Sequence, residues 1–285
     1  MSGRLRYALY LPNAGYYADA ARLAELAVAA ESSGWDGFFI WDHLLLGSPA
    51  PLPVCDAWTA LTAVLSRTTT LLAGPLVTPL ARRRPAKVAR ETVTLDRLSG
   101  GRLVLGVGLG GDPKHDFASF GEPSGSRERA ESLDEGLAVL RALWTGKEQS
   151  YAGAHHHLDR VRFLPAPVGH LPIWVAATWP HVRPLARAAH NDGVVPMVRD
   201  GSGALRGPTP IELAALTVAM PPPIRPATFQ VAVPGVLSPD RSQAAAERLH
   251  AYREAGATWW LESFDPWRRD PAELRRWIAQ GPPLP

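Results

Sequence analysis

Short apolar runs rich in β-branched and aromatic residues alternate along the chain with longer segments whose apolar residues recur at helical spacing. Such alternation predicts parallel strands that are each followed by a helix. The predicted strands are Leu5–Leu11, Gly37–Trp41, Thr69–Val77, Arg102–Val107, Ile173–Ala177, Gly193–Pro196, Thr228–Leu237 and Thr258–Ser263. Eight such units in 285 residues predict an α/β fold with one domain over residues 1–285, a (β/α)8 barrel.

The alternative fold, an open doubly wound sheet, usually has a glycine-rich phosphate-binding turn after its first strand. The turn Leu11–Gly15 does not have that pattern, so the barrel is favoured. Between the fourth helix and the fifth strand, Gln149–Leu158 and Arg160–Leu164 alternate like a short hairpin, which we expect to be an insertion.

Several predicted helices have recognisable start and stop residues. Pro85 is placed for the first turn of the third helix, and Gly100 for its end. Thr209 and Glu212 have capping-box spacing at the start of the sixth helix. For the seventh helix, Ser238 and Pro239 predict the start.

Composition narrows the possible partners. The formal charge is only +3, and the densest basic cluster, Arg82–Arg84, directly precedes a predicted helix, so we expect no nucleic-acid partner. No apolar run approaches the roughly 18 residues of a membrane span, and the start of the chain lacks an apolar signal core. Cys55 is the single cysteine, which excludes an intramolecular disulfide and favours a cytoplasmic location.

Barrel enzymes take their reactive groups from the carboxyl ends of the strands and the loops that follow. The second strand ends in Trp41-Asp42-His43, and an Asp–His pair can do acid–base chemistry because imidazole titrates near neutral pH. The competing interpretation is that Asp42 caps a turn and His43 lies on the surface. The third strand ends in Gly74–Pro79, where a glycine and two prolines predict a kinked or bulged end.

Two further strand ends are chemically suited to bind phosphate. The fourth ends in the glycine-rich run Gly106–Gly111, whose backbone N–H groups could approach an anion. The fifth ends in Ala177-Thr178-Trp179 before a predicted helix, although Thr178 could instead cap that helix.

Other polar and aromatic residues have less specific interpretations. His155 and His157 could share one face of a strand, but no third ligand is evident, so we expect an exposed hairpin edge and no metal site. Trp259 and Trp260 must face opposite sides of the eighth strand. The carboxylates Asp42 and Glu262 at strand ends, with Asp112 and Asp116 in a loop, leave a lyase or hydrolase as a weak alternative.

Taken together, four segments resemble the luciferase-like flavin- and F420-dependent oxidoreductases. They are Asp36–Leu44, Thr94–Gly108, Leu171–Val175 and Asn191–Pro196. The similarity extends over nearly the whole chain in the expected order, and it implies a (β/α)8 barrel with insertions. It also implies FMN or coenzyme F420 as a dissociable cofactor, a small organic substrate and, for FMN users, a separate flavin reductase.

The resemblance also implies roles for individual residues. Asp42 and His43 would lie near the flavin ring, with His43 as the proton donor or acceptor. Pro75, Leu76 and Thr78 would form a bulge behind the ring, where relatives often have a cis peptide bond. The ribityl and phosphate portion would be held by Gly108, Gly110, Ala177, Thr178 and Trp179. The resemblance thus places the phosphate near strands four and five, whereas barrels in general place it after strands seven and eight.

The choice between the two cofactors stays open. Leu44, where a second histidine would follow the Asp–His pair, slightly favours F420. A flavin-binding barrel without efficient turnover is the alternative function. We expect a homodimer because many relatives are dimers, and because short connections around the sixth and seventh units leave little chain for a lid.

Overall fold

A computed structural model describes residues 4–47, 50–111, 116–224, 226–237, 242–267 and 271–283. Its strands are β1 Arg6–Leu11, β2 Gly37–Ile40, β3 Leu72–Pro75, β4 Thr78–Pro79, β5 Leu105–Gly108, β6 Glu148–Ala152, β7 His157–Arg162, β8 Ile173–Trp179, β9 Gly193–Arg199, β10 Leu205–Arg206, β11 Gln230–Gly235 and β12 Trp259–Ser263. Its α-helices are α1 Ala20–Ser32, α2 Ala57–Arg67, α3 Pro85–Ser99, α4 Ser126–Trp144, α5 Val182–Ala189, α6 Pro210–Ala219, α7 Gln243–Glu254 and α8 Pro271–Ala279.

The main sheet is parallel and closes on itself. Its strand order is β3-β2-β1-β12-β11-β9-β8-β5-β4, and β4 continues the path of β3 after a two-residue interruption. The ring closes where β4 pairs with β5 and where Val104 N–H donates to the Ala73 carbonyl. Counting β3 and β4 as one position, the described residues form the predicted eight-position barrel, with a helix after each position.

Strand alternation separates two apolar layers. The barrel interior holds Ala8, Phe39, Leu76, Val104, Trp174, Val195, Ala232, Trp259 and Leu261, all buried. Phe39, Trp174 and Trp259 pack ring on ring, with centroids 5.2–6.1 Å apart. The larger cluster between sheet and helices contains Trp260, so the prediction that Trp259 and Trp260 face opposite sides is confirmed.

Glycines allow the third and fourth barrel positions to approach each other. A Cβ on Gly74 would lie 1.8 Å from the Val104 carbonyl oxygen, and one on Gly106 would lie 2.2 Å from that of Pro75. No side chain fits in such gaps. Gly106, on the fourth barrel strand, is therefore needed so that this strand can pack against the bulge.

The predicted third strand, Thr69–Val77, is thus interrupted. The cis peptide bond Leu76–Val77 lies in the break, at the bulge that glycine and the two prolines predict. Two other strands run further than predicted: β8 extends to Trp179, and β9 extends to Arg199 and pairs with β10. Thr178 and Trp179 consequently belong to a strand, and His181 occupies the N-cap of α5, so Thr178 does not cap that helix.

The helix boundaries largely match the sequence signals. Pro85 begins α3, Gly100 ends it in the left-handed conformation, and Thr209 with Glu212 makes both capping-box hydrogen bonds. The seventh helix is an exception, because it begins at Gln243 with Ser242 as its cap. The predicted start at Ser238 and Pro239 lies outside the described residues.

The inserted hairpin is β6–β7, which pairs antiparallel as predicted and precedes β8. It is fixed to α4 by the Glu135 carboxylate, which accepts the backbone N–H groups of Ala154, His155 and His156. Among the described helices, none is long and apolar enough to cross a bilayer.

Candidate functional site

The two ends of the barrel differ in how they are closed. At the amino end, Arg6 stacks on the Trp259 ring at 4.2 Å and donates to Gln230, which also accepts from Trp259 Nε1. At the carboxyl end, the inward-facing positions beyond the interior cluster are only partly buried: Tyr10, Ala176, Thr178, Met197 and Ser263. The open carboxyl end, hereafter the mouth, is therefore where a ligand can enter.

His43 lies at this mouth, just past the end of β2. Its Nδ1 is 2.6 Å from Asp116 Oδ2, and its side chain is 32% exposed. Asn13 fixes the backbone on both sides of the residue, since its amide donates to the His43 carbonyl and accepts the His43 N–H. The Trp41 ring meets the imidazole edge to face at 5.8 Å.

Asp116 is buried and fully occupied. Its Oδ1 accepts the backbone N–H groups of Leu44 and Leu45, at 3.0 and 2.7 Å, while Oδ2 faces His43. Burial acts to raise the pKa of Asp116, but the His43 and Leu45 hydrogen bonds and the positive charge of Arg82 outweigh it and lower the pKa. The carboxylate is thus ionised at neutral pH and can only accept, so Nδ1 of His43 is the donor.

Asp42 has different partners, although it precedes His43 directly. Arg83 donates to both of its carboxylate oxygens, and the Thr78 hydroxyl donates to Oδ2 at 2.9 Å. Arg82 donates to its backbone carbonyl. Asp42 is 4% exposed, so its carboxylate holds the loop together and does not face the mouth.

The bulge between β3 and β4 forms one wall of the mouth. Leu76 is buried in the barrel interior, and its carbonyl accepts the Tyr10 hydroxyl at 2.7 Å. Burial raises the pKa of Tyr10, which keeps this hydroxyl protonated as the donor. Pro75 ends β3, and its carbonyl oxygen faces Gly106.

Beside this wall, on β5, β8 and β9, mostly small side chains leave a shelf. A Cβ on Gly108 would lie 2.5 Å from a methyl of Val77 and 3.5 Å from Ala176 Cβ, so Gly108 faces the interior beside both. Thr178 shares the inward face of β8 with Ala176 and pairs in register with Met197. We define the shelf as Val77, Gly108, Ala176, Thr178 and Met197.

The other three residues that the resemblance assigns to the ribityl and phosphate portion do not point to the shelf. Ala177 is buried in the layer between sheet and helices, and Trp179 packs against that layer. Their side chains therefore lie on the outer side of β8. Gly110 has φ +67° and lies against Phe117 and Pro79, away from the interior cluster.

The alternative of a lyase or hydrolase needs two carboxylates at the strand ends, and the structure does not place Glu262 there. Glu262 is fully buried on the outer face of β12, where its oxygens accept the Leu237 N–H and Trp260 Nε1. Neither Asp42 nor Glu262 is therefore positioned for acid–base chemistry at the mouth. Asp112 lies outside the described residues.

The histidine run lies on the inserted hairpin. His155 is 3.8 Å from Glu131 there, and the described ranges contain no group of three or more metal-ligating side chains.

A separate cleft of about 280 Å³ opens near the amino end of β8. Its polar groups are paired with one another: His170 Nε2 is 2.6 Å from Asp192, and Arg141 donates to Asn191 and to the His190 carbonyl. Because these groups are satisfied within the protein and lie away from the mouth, we assign the site to the mouth.

The sequence singles out His43 but not the residues that hold it. Asp116 is 73 positions away, in a loop considered only as a source of carboxylates. In the sequence Arg82 and Arg83 stand out only as a basic cluster, whereas in the structure both side chains turn inward to Asp42. No local pattern links these arginines to Asp42, which lies about 40 positions earlier in the chain.

The comparisons with known proteins agree with this fold. The model of the luciferase-like monooxygenase family matches residues 7–280. An imidazole fixed at the mouth of a (β/α)8 barrel, beside a bulged third strand, defines a barrel with acid–base capability. The chain belongs to the luciferase-like monooxygenase family.

Among curated relatives are F420-dependent glucose-6-phosphate dehydrogenases. That of Nakamurella multipartita is 32% identical over 66% of this chain and 61% of the relative. That of Mycobacterium avium is 34% identical over 66% of this chain and 62% of the relative. The matched region thus spans less than two thirds of these relatives' length.

Solved structures with the same fold include an F420-dependent secondary alcohol dehydrogenase in complex with an F420–acetone adduct. It superposes with a TM-score of 0.80, 16% identity and 99% coverage of both chains. A second is the oxygenating constituent of 3,6-diketocamphane monooxygenase from Pseudomonas putida, in complex with FMN. It superposes with a TM-score of 0.72 and 16% identity, and the match covers 98% of this chain and 97% of the other. Both confirm the barrel.

Proposed function

We propose that this protein is an F420-dependent oxidoreductase that transfers a hydride between the deazaflavin and a small organic substrate, with FMN as the second choice of cofactor. The observation that carries the proposal is the His43 imidazole held by Asp116 at the mouth, beside the Leu76–Val77 bulge. Family membership and the F420-dependent curated relatives support it.

The residues present fit a flavin-type ring. The shelf offers small and apolar side chains on one side, and the Gly108 position would be filled by any Cβ. The Thr178 hydroxyl is the polar group on this shelf and is suited to a hydroxyl or phosphate of the cofactor tail. A flat apolar ring with a polar tail matches this combination.

When bound, F420 supplies the hydride chemistry. The protein supplies the rest. His43 would take the proton from a substrate hydroxyl during oxidation, or return it during reduction, through Nε2, because Nδ1 is occupied by Asp116. The bulge and the Tyr10 hydroxyl hold the wall against which the ring would lie, and Asp42 with Arg83 and Thr78 holds the loop that carries His43.

FMN use is the second candidate, favoured by the FMN-bound monooxygenase of the same fold. It would make this chain the oxygen-using component that a separate flavin reductase supplies. A flavin-binding barrel without efficient turnover is the remaining alternative. It would bind the cofactor tightly and react with none of the substrates offered.

The test is titration of the purified protein with F420 and with FMN, each oxidised and reduced, followed by fluorescence and calorimetry. We expect tighter binding of F420, and then F420 reduction with secondary alcohols or glucose 6-phosphate as trial substrates. Preference for reduced FMN would favour the monooxygenase. Binding of neither would overturn the proposed site and leave only the barrel.

Two further expectations from the sequence belong to this proposal. A cytoplasmic location is supported by the single cysteine, Cys55, which is half-buried against the Tyr17 carbonyl. A homodimer is supported by the exposed apolar face of α6, whose test is given in the Discussion.

A further inference from the structure

The His43 ring has two nitrogens in different situations. Nδ1 is bound to Asp116 at 2.6 Å, whereas Nε2 has no hydrogen-bond partner among the described residues. The two nitrogens of a neutral imidazole cannot both carry the proton. Which nitrogen carries it decides whether the atom facing the mouth accepts or donates a proton.

We propose that Asp116 is a positioning residue that fixes His43 as the Nδ1–H tautomer and so leaves Nε2 as the proton acceptor. The tautomer itself is a property of the protein alone. Its use in turnover rests on the proposed function.

The Asp116 carboxylate is held so that it cannot turn away. Two backbone N–H groups, of Leu44 and Leu45, bind Oδ1, and both follow His43 directly in the chain. The same carboxylate therefore grips the imidazole and the backbone beside it. Any shift of Asp116 would move the loop and the ring together, which keeps their mutual geometry constant.

Arg82 supports the charge on Asp116. Its side chain is 4% exposed, and Nη1 lies 3.6 Å from Asp116 Oδ2. Nη2 lies 3.6 Å from Asp42 Oδ1, so the guanidinium stands between the two buried carboxylates. Nη1 makes no hydrogen bond in the described structure, which leaves its positive charge directed at Asp116. A carboxylate kept ionised can only accept, and this enforces the Nδ1–H tautomer.

The substitution Asp116→Asn keeps the size and burial of the side chain at position 116 and changes only its ability to accept a hydrogen bond from His43 Nδ1. The amide oxygen would stay with the Leu44 and Leu45 N–H groups, so the NH2 group would face His43 Nδ1. Two donors cannot bond, and the imidazole proton would move to Nε2. Asp42→Asn is the matched control, because Asp42 is equally buried and equally close to Arg82 but does not touch the imidazole.

The measurement is long-range ¹H–¹⁵N NMR of the histidine side chains at a pH where His43 is neutral, assigned with His43→Gln. We expect Nδ1–H in the wild type and in Asp42→Asn, and Nε2–H in Asp116→Asn. An Nε2–H tautomer in the wild type would overturn the proposal, and this reading does not depend on how the variants fold. A folded Asp116→Asn that keeps Nδ1–H would overturn it as well.

Turnover adds the second readout. In serine proteases the corresponding aspartate-to-asparagine change costs roughly 10⁴ in kcat through the wrong tautomer. We expect Asp116→Asn to lower kcat by about 10²–10⁴ with little change in cofactor Kd. If the tautomer switches as expected but turnover is unchanged, the tautomer assignment holds and the catalytic use of His43 in the proposed function fails.

Discussion

Asp42 and His43 are neighbours in the chain, yet their side chains meet different partners. Asp42 is enclosed by Arg83, Thr78 and Arg82, whereas His43 keeps one nitrogen bound and a third of its side chain exposed. A buried carboxylate whose two oxygens both accept hydrogen bonds stabilises the loop and is shielded from a ligand. Of the pair that the sequence singled out, His43 is therefore the residue suited to proton transfer.

The first prediction concerns His43 itself. His43→Ala removes the proton acceptor but leaves the shelf and the bulge in place, because the hydrogen bond and the aromatic contact of the ring are to Asp116 and Trp41, which belong to neither. We expect turnover to fall by about 10²–10⁴, the usual contribution of a positioned general base, with cofactor binding within about threefold. Steady-state kinetics and cofactor titration on the same preparation measure both. Unchanged turnover would remove His43 from the mechanism.

How much of the site could be predicted depends on sequence distance. The ends of strands are visible in the apolar pattern, so His43, Leu76, Gly108 and Thr178 could be placed at the mouth. Ala177 and Trp179 could not be separated from Thr178, because the predicted strand ends at Ala177. In the structure β8 continues to Trp179, so Thr178 faces the mouth and its two neighbours face the helix layer. Asp116 could not be paired with His43, since no local pattern links a loop residue to a strand end 73 positions earlier.

At the scale of elements, the third barrel position is the least regular and the most constrained. Its break falls at Leu76–Val77, and the chain there lies so close to β5 that a Cβ at Gly106 or Gly108 would come within 2.5 Å of it. The glycine-rich run that suggested phosphate binding thus has a packing cause that the sequence alone did not reveal. The pattern was detected correctly, but its physical reason lies in the neighbouring strand.

The second prediction follows from this contact. Gly106→Ala would put a methyl group 2.2 Å from the Pro75 carbonyl oxygen, so the bulge must shift. We expect the free energy of unfolding to fall by about 3 kcal/mol, as in an overpacked core. Gly169→Ala is the control, since a Cβ there meets nothing within 4 Å and should change stability by less than about 0.5 kcal/mol. Urea unfolding followed by circular dichroism compares them, and equal stabilities would contradict the packing argument.

The third prediction concerns the link between α1 and β3. Glu31, near the end of α1, accepts the N–H groups of Thr69, Thr70 and Leu71. Burial acts to raise its pKa, but these hydrogen bonds lower it from 4.5 to about 2. A lowered pKa means that the ionised group stabilises the fold above pH 4.5 and that this stabilisation is lost as the pH falls toward 2.

Glu31→Gln should therefore destabilise the protein at pH 7 and matter less at low pH. Because Glu31 is partly exposed, solvent screening reduces the effect to about 1 kcal/mol. Glu25→Gln on the same helix is the control, since among the described residues the ionic partner of Glu25 is Arg275, at 4.0 Å. Unfolding free energies at pH 7 and near pH 2.5 test this, and a difference between wild type and Glu31→Gln that does not shrink at low pH would refute it.

At the scale of the whole molecule, the barrel is filled at one end and open at the other. Large aromatic side chains and Arg6 close the amino end, and small residues leave the carboxyl end open. The eightfold alternation was enough to predict this architecture, because each strand–helix unit has its own apolar period. The alternation could not show which apolar side chains remain exposed after folding, since that depends on how each helix is rotated about its own axis against the sheet.

One such surface lies on α6. Leu213 and Leu216 face the sheet, while Ile211 and Val218, seven residues apart, are 82% and 88% exposed. From Leu213 to Ile224 the chain has no charged residue. A chain of net charge +3 repels its own copy, and an uncharged face is where two copies could meet with least repulsion. Membrane-surface helices differ, because they need basic residues along the polar face.

The last prediction is that the α6 face is where a second copy packs. Ile211→Glu with Val218→Glu would place like charges in a two-fold contact, in which each patch meets itself. We expect a wild-type dimer and a monomeric double variant by light scattering or sedimentation, with unchanged circular dichroism. Val168→Glu, another exposed valine but distant in the chain, should stay dimeric. A monomeric wild type would exclude the dimer. A double variant that remains dimeric would show that the copies meet at another face, because unpaired like charges buried in a two-fold contact would separate them.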